Sequence, residues 1–210
     1  MISIIAAMDE KSGIGKDNKI PWHIKEDLIK LKSLTKDHLV ILGRRTYDSM
    51  LWYYNKSGKE MPGKLYIVIT HDEGYKPTRE NAAVAHSLDQ ALRIAADQHG
   101  YSSSDLKELR KSKSSVIPNL IGNLDSRFRH VRRGFRGNDN DCEIFVIGGG
   151  QIYQQALPFT DKLYLTIVEG DYNCDTFFPD YSAFKKIIHE ESKESEGYKY
   201  KFFELERGEA

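Results

Sequence analysis

The chain predicts a single α/β domain over residues 1–210, built on a mostly parallel sheet with helices on its faces and an antiparallel hairpin at one edge. Three observations predict it. Short, continuously apolar runs recur along the chain, which suits strands covered on both faces. Segments with three- and four-residue apolar spacing lie between them, and the alternation of the two patterns is that of a parallel sheet. One apolar run, Ile144-Phe145-Val146-Ile147, ends in Gly148-Gly149-Gly150 and passes into Gln151-Ile152-Tyr153. Three glycines between a strand and a helix let backbone N–H groups approach a phosphate closely, beside the favourable partial charge of a helix N-terminus.

The elements follow in order. The first strand runs from Ser3 to Met8, apolar throughout. A polar loop from Asp9 to Ile20, holding Gly13, Gly15 and Asn18, ends at Pro21-Trp22. A helix from Ile24 to Thr35 is predicted by Leu28, Leu31 and Leu34 at three-residue steps. His38 to Leu42 is a short strand closed by Gly43, Arg44 to Leu51 a helix, and Leu65 to Thr70 a further strand. Leu88 to Ala96 is helical, with Ser87 as N-cap and Asp89 in the first turn. After the glycine triplet come a helix near Ile152 to Ala156 and a strand from Lys162 to Val168. Phe184 to Glu191 and Tyr198 to Leu205 form the hairpin, turning around Glu194 to Gly197.

The segment from Tyr101 to Asp141 breaks the pattern. It lacks an apolar period, is rich in serine, arginine, glycine and asparagine, and carries nine basic residues against five acidic ones. It reads as a basic, low-order surface insertion, with at most a short helix from Asp105 to Lys113. Its sequence resembles the translation of a dispersed palindromic DNA repeat read through a gene, which assigns it no chemistry of its own. The competing reading, arginines that contact nucleic-acid phosphates, has only Phe128 and Phe135 as interleaved aromatics and is disfavoured.

Charge and composition exclude several classes. Lysine plus arginine equals aspartate plus glutamate, 31 against 31, so an anionic ligand must be held by a local cluster. No apolar run approaches the roughly 18 residues of a membrane span, and the N-terminus lacks the basic region of a signal peptide. Cys142 and Cys174 lack metal-ligand spacing and read as free thiols in a reducing cytoplasm; no metal site is predicted.

The chemistry concentrates at two places. Asp27 falls in the first turn of the first helix, one residue before Leu28 and four before Leu31. Two readings stand: an acid favoured by the helix dipole, or a carboxylate in an apolar cleft, with a raised pKa, that binds the amidine-like edge of a heterocycle. Gly43-Arg44-Arg45-Thr46 follows a strand and opens a helix, a phosphate-binding arrangement, or else a solvated basic turn. Thr70-His71-Asp72 ends the next strand and the glycine triplet a third, so three strand ends deliver anion-binding groups to one sheet edge.

Taken in order, Ile5-Ala6-Ala7, Ile14-Gly15, Pro21-Trp22, Asp27-Leu28, Gly43-Arg44-Arg45-Thr46, Ile147-Gly148-Gly149-Gly150, Tyr153, Leu163-Tyr164-Leu165-Thr166 and Asp175-Thr176-Phe177-Phe178-Pro179 resemble the motifs of the dihydrofolate reductases. The resemblance covers nearly everything outside the 101–141 segment and a short extra stretch from Trp52 to Glu60. It implies a twisted sheet of about eight strands and NADPH-dependent reduction of 7,8-dihydrofolate to 5,6,7,8-tetrahydrofolate in a cytoplasmic monomer, inhibited by antifolates. Asp27 would hydrogen-bond the pterin, Thr166 would tie the carboxylate or the pterin, and Trp22 would order a water. Ile5, Ala6, Leu28, Leu31, Met50, Lys64 and Ile147 would line the substrate site. Ala7, Ile14, Gly15, Gly43, Arg44, Arg45, Thr46, Thr70, His71, Gly148, Gly149, Gly150, Gln151, Ile152 and Tyr153 would line the cofactor site, with a cis Gly148–Gly149 peptide. The loop from Asp9 to Ile20 would be the lid.

Three features depart from the family pattern. Met61-Pro62-Gly63-Lys64 puts lysine where relatives carry an arginine for folate's α-carboxylate, which keeps the charge and loses the bidentate fork. Gln151 stands where arginine is frequent, leaving Arg44, Arg45 and His71 for the adenosine 2′-phosphate with Asp72 beside them. The insertion is the third. A rival, the fold-related pyrimidine reductase of riboflavin synthesis, shares the glycine triplet but does not need Pro-Trp followed by an aspartate on the first helix.

Overall fold

The apolar run at the N-terminus forms the central strand of an eight-stranded sheet. The structure, a computed structural model, describes residues 1–98 and 143–208. Its elements are β1 (Ile2–Asp9), β2 (Gly13–Gly15), α1 (Lys25–Thr35), β3 (Leu39–Gly43), α2 (Arg44–Ser57), β4 (Leu65–Ile69), β5 (Ala82–Ala85), α3 (Leu88–Gln98), β6 (Ile144–Val146), α4 (Gly150–Ala156), a 3-10 turn Leu157–Phe159, β7 (Lys162–Val168), β8 (Thr176–Phe177), β9 (Lys186–Ser195) and β10 (Tyr198–Glu206). Strand order is β5-β4-β3-β6-β1-β7-β10-β9, and β2 pairs with β8 in a separate ribbon. All pairings from β5 to β7 are parallel, whereas β10 runs antiparallel to both β7 and β9.

Strand alternation gives β1 two jobs. Ile2, Ile4, Ala6 and Met8 enter the core beneath α3 and α4, with Ala91, Ala95, Ile152 and Ala156. Ile5 faces the other layer, where Val40, Leu42, Tyr66 and Phe145 pack beneath Tyr47 and Tyr54 of α2 and Leu31 and Leu34 of α1. A third cluster, Trp22, Ile24, Val168, Tyr200 and Phe202, joins the start of α1 to the hairpin strands.

Several elements differ from expectation. Helix α2 continues six residues past Leu51, because Tyr47 and Tyr54, seven apart, bury on one face, and it stops at Gly58 in the left-handed conformation (φ 64°). The extra stretch from Trp52 is therefore largely helix. β5, β2 and β8 were not foreseen: the first is mostly alanine, and the other two are fragments held by each other across the loop. Phe184 belongs to the core rather than to the hairpin, whose strands turn through Glu196 and Gly197, both at positive φ. The expected cap is present, with the Gln90 N–H donating to Ser87 Oγ at 3.1 Å. Cys174 is a free thiol; Cys142 and the 101–141 segment, with its Asp105 to Lys113 helix, lie outside the described residues.

Candidate active site

The carboxyl ends of β4, β3 and β6 lie side by side, so the order of the parallel strands brings Thr70, Gly43 and Gly148 to one edge. The Gly43 N–H donates to the Gly148 carbonyl at 2.8 Å and the Ile147 N–H to Ile41 O at 3.1 Å, which extends the β3–β6 ladder into the triplet. The Gly148–Gly149 peptide is cis, and Gly148 has φ +120°. A Cβ on Gly148 would lie 3.1 Å from Tyr153 Oη, and one on Gly150 3.0 Å from Thr176 Cγ2 of β8 and 3.6 Å from Ile14. A side chain is disfavoured at Gly148, by its positive φ and by Tyr153, and crowded at Gly150 by Thr176, so backbone fills this corner. Tyr153 is buried in α4, donates its hydroxyl to Ile5 O at 2.8 Å, and has its phenol pushed up by desolvation. Ile152 and Ala6 are buried in the same cluster, while Gln151 is exposed in the first turn of α4.

Helix α2 begins at Gly43 with no side-chain cap and carries Arg44, Arg45 and Thr46 in its first turn. Arg44 Nη1 lies 2.7 Å from Asp72 Oδ2, and its guanidinium sits 5.4 Å from the Tyr75 ring centroid. Arg45 Nη1 donates to Asn18 Oδ1, in the loop between β1 and α1, at 3.0 Å. Thr70 is buried and its hydroxyl accepts the Asp72 N–H at 3.2 Å; His71 is exposed.

The second centre lies on the far side of β1. Asp27 Oδ1 accepts the Thr166 hydroxyl of β7 at 2.5 Å. Desolvation pushes the Asp27 carboxyl above the ordinary aspartate value, opposed by the Thr166 hydrogen bond and, less strongly, by the Lys30 ammonium. The residue as a whole is half-buried. Its cleft is lined by Ile5, Lys30, Leu31, Leu34, Tyr164, Leu165 and Thr166. A larger open groove of about 510 Å³ along the hairpin, lined by Glu10, Glu169, Lys193 and Tyr200 among others, shares none of these residues. Leu28 and Met50 are part-buried near the cleft helices, Ile147 is buried, Ala7 packs near Trp22, and Lys64 is exposed at the head of β4. Trp22 is 6% exposed, stands edge-on to Tyr172 at 5.2 Å, and has an indole N–H without a protein partner among the described residues.

Two carboxylates to which the sequence assigns no role, Asp9 at the end of β1 and Asp175, organise the loop between β1 and α1. Asp9 is buried and accepts the N–H groups of Lys11 (2.9 Å), Gly13 (2.8 Å) and Tyr172 (3.2 Å). Asp175 accepts the Asp17 N–H at 2.8 Å, while its own N–H donates to Gly15 O at 3.0 Å. The Asp17 N–H and the Thr176 hydroxyl hold the Asp175 carboxyl below the usual range. Together with the β2–β8 ribbon, these bonds hold the loop with Ile14 beside Gly150 of the triplet. Their partners are mostly backbone N–H groups, Lys11 and Gly13 close by in sequence and Tyr172 and Asp17 distant, and such pairings leave no side-chain pattern to read.

Among the described residues, no helix is long and apolar enough to cross a membrane, and no group of three or more His, Cys, Asp or Glu is placed to hold a metal ion.

Comparisons with known proteins bear on this geometry. The profile of the family described as dihydrofolate reductase matches residues 1–103 and 123–207. Dihydrofolate reductase type 3 of Salmonella typhimurium is 33% identical over 182 residues, covering 86% of this chain and 80% of the relative. Dihydrofolate reductase of Staphylococcus haemolyticus is 29% identical over 204 residues, covering 96% and 92%. Among solved structures, dihydrofolate reductase from Enterococcus faecalis complexed with NADP(H) and RAB-propyl superposes with a TM-score of 0.66 at 22% identity, covering 100% of this chain and 97% of that one.

Proposed function

The chain belongs to the dihydrofolate reductase family, and from that premise we propose that it reduces 7,8-dihydrofolate to 5,6,7,8-tetrahydrofolate with NADPH. Bound NADPH supplies the hydride that reaches pterin C6, and a solvent proton completes the reduction at N5. The observation that carries the reading is the Asp27–Thr166 pair: a carboxylate in an apolar cleft, its charge supported by one hydroxyl. Asp27 hydrogen-bonds N3 and the 2-amino group of the pterin and polarises the ring, so that N5 accepts a proton more readily. The free indole N–H of Trp22 orders a water beside it. Ile5 and Leu31 wall the ring, with Leu28, Met50 and Ile147 around it, and Lys64 meets the glutamate tail at the rim. The same cleft takes amidine-bearing antifolates.

The cofactor reading is supported by a different set of groups. The uncapped N-terminus of α2 and the Cβ-free corner at Gly148–Gly150 suit a pyrophosphate and the adjoining backbone-lined path, and Arg44, Arg45 and His71 suit the 2′-phosphate. Ala7, Ile14, Gly15, Tyr153 and the lid surround the nicotinamide, exclude water and gate release. The protein acts as a cytoplasmic monomer that feeds one-carbon metabolism, and the 101–141 segment is a passive insertion. NADPH deuterated at the transferred position tests the chemistry: deuterium at C6 of the product supports it, and product deuterium anywhere else, or none, contradicts it.

A further inference from the structure

The guanidinium assigned to the 2′-phosphate already has an anionic partner. Arg44 Nη1 binds Asp72 Oδ2 at 2.7 Å and lies over Tyr75, whose hydroxyl donates to Asp48 at 2.7 Å. Asp72 is itself held in place: Oδ1 accepts the Gly74 N–H at 3.0 Å, and its own N–H donates to Thr70 Oγ1 at 3.2 Å. Arg45 is directed toward Asn18 of the lid loop. A dianionic phosphate arriving here therefore meets a fixed carboxylate beside the first arginine, while the second is engaged across the cleft. An uncharged ribose 2′-hydroxyl meets no such repulsion, and a carboxylate after a parallel strand is a suitable acceptor for it, as in sites that bind NAD.

We propose that Asp72 is a specificity-determining residue for the dinucleotide: paired with Arg44, it narrows the preference for NADPH over NADH that the arginines create, and it accepts the 2′-hydroxyl of NADH. This rests on the cofactor reading above. The exposed ion pair is weak in itself, with side chains 39% and 52% accessible, so it yields to the phosphate rather than blocking it. The effect is a graded loss of discrimination, largest at low salt.

Calorimetric titration of the ligand-free protein with adenosine 5′-monophosphate and its 2′-phosphorylated form tests this without turnover. Asp72→Asn keeps an oxygen for the Gly74 N–H and removes the charge. It should tighten the 2′-phosphorylated nucleotide by about fivefold, or 1 kcal/mol at 1.4 kcal/mol per decade. Binding of adenosine 5′-monophosphate should stay within twofold or weaken, and the NADPH-to-NADH ratio of kcat/KM should rise in step. Unchanged or weaker binding of the 2′-phosphorylated nucleotide in Asp72→Asn overturns the proposal. Arg44→Gln separates the two levels. If it weakens that nucleotide, the phosphate reading stands whatever Asp72 does; if it does not, the reading and the proposal fall together.

Discussion

Replacing Thr166 by valine removes one hydroxyl from a buried strand position and leaves the side-chain shape almost unchanged. That hydroxyl donates to Asp27 Oδ1 at 2.5 Å and is the strongest influence favouring the charged carboxylate, ahead of Lys30 and against the larger effect of desolvation. A hydrogen bond to a charged group contributes about 1.5–3 kcal/mol. At 1.36 kcal/mol per decade, its loss lowers kcat/KM for dihydrofolate by roughly ten- to a hundredfold. The pH dependence follows from the sign. Asp27 already titrates above the ordinary aspartate range, and without its donor it titrates higher still, so the ionised fraction falls most on the acid side. The deficit of Thr166→Val relative to the native protein should widen as pH drops and narrow as it rises, and Thr166→Ser should restore most of the activity. Valine within twofold of native at every pH, or serine as impaired as valine, would refute the role given to this hydroxyl.

The same carboxylate makes a prediction about stability. A raised folded-state pKa means that the folded chain holds the proton more tightly than the unfolded chain, so stability falls as pH climbs from the ordinary aspartate value through the raised one. Asp27→Asn should therefore raise the Tm of the ligand-free protein at pH 7, with the gain fading below about pH 4; a lower Tm at pH 7 would contradict the burial argument. The Asp17–Asp175 bond predicts that Asp175→Ala loosens the loop between β1 and α1. Trypsin should then cut after the exposed Lys16 or Lys19 several-fold faster while other sites keep their rates, and an unchanged rate would show that the bond does not hold the loop.

The strands that could be read directly from the sequence are those buried on both faces. β1, β3, β4 and β6 are continuous apolar runs because helices cover both sides of the sheet, and their order along the chain, alternating with helices, implies the parallel arrangement. β5 escaped notice because alanine carries little strand preference, and β2 and β8 because their few residues become strand only by meeting each other. Trp52 and Tyr53 hid the last turns of α2, since both remain exposed on a helix whose buried face rests on Tyr47 and Tyr54. The site divides in the same way. Asp27, Arg44 and the glycine triplet announce themselves by position at element ends. The resemblance already sets Thr166 against Asp27 and Asp72 beside the arginines, whereas the bond from the Asp17 N–H to Asp175 joins a backbone group to a distant side chain and leaves no pattern to read.

One measurement tests the assignment most directly: the fall in NADPH absorbance when the purified protein is mixed with dihydrofolate, for the native chain and for Asp27→Ala and Asp27→Asn. The native protein should turn over well above background, and alanine should abolish most of that activity. Asparagine should recover part of it as the pH falls and solvent protonates the substrate. Absence of turnover in the native protein, or turnover unchanged in Asp27→Ala, would contradict the central role of this carboxylate.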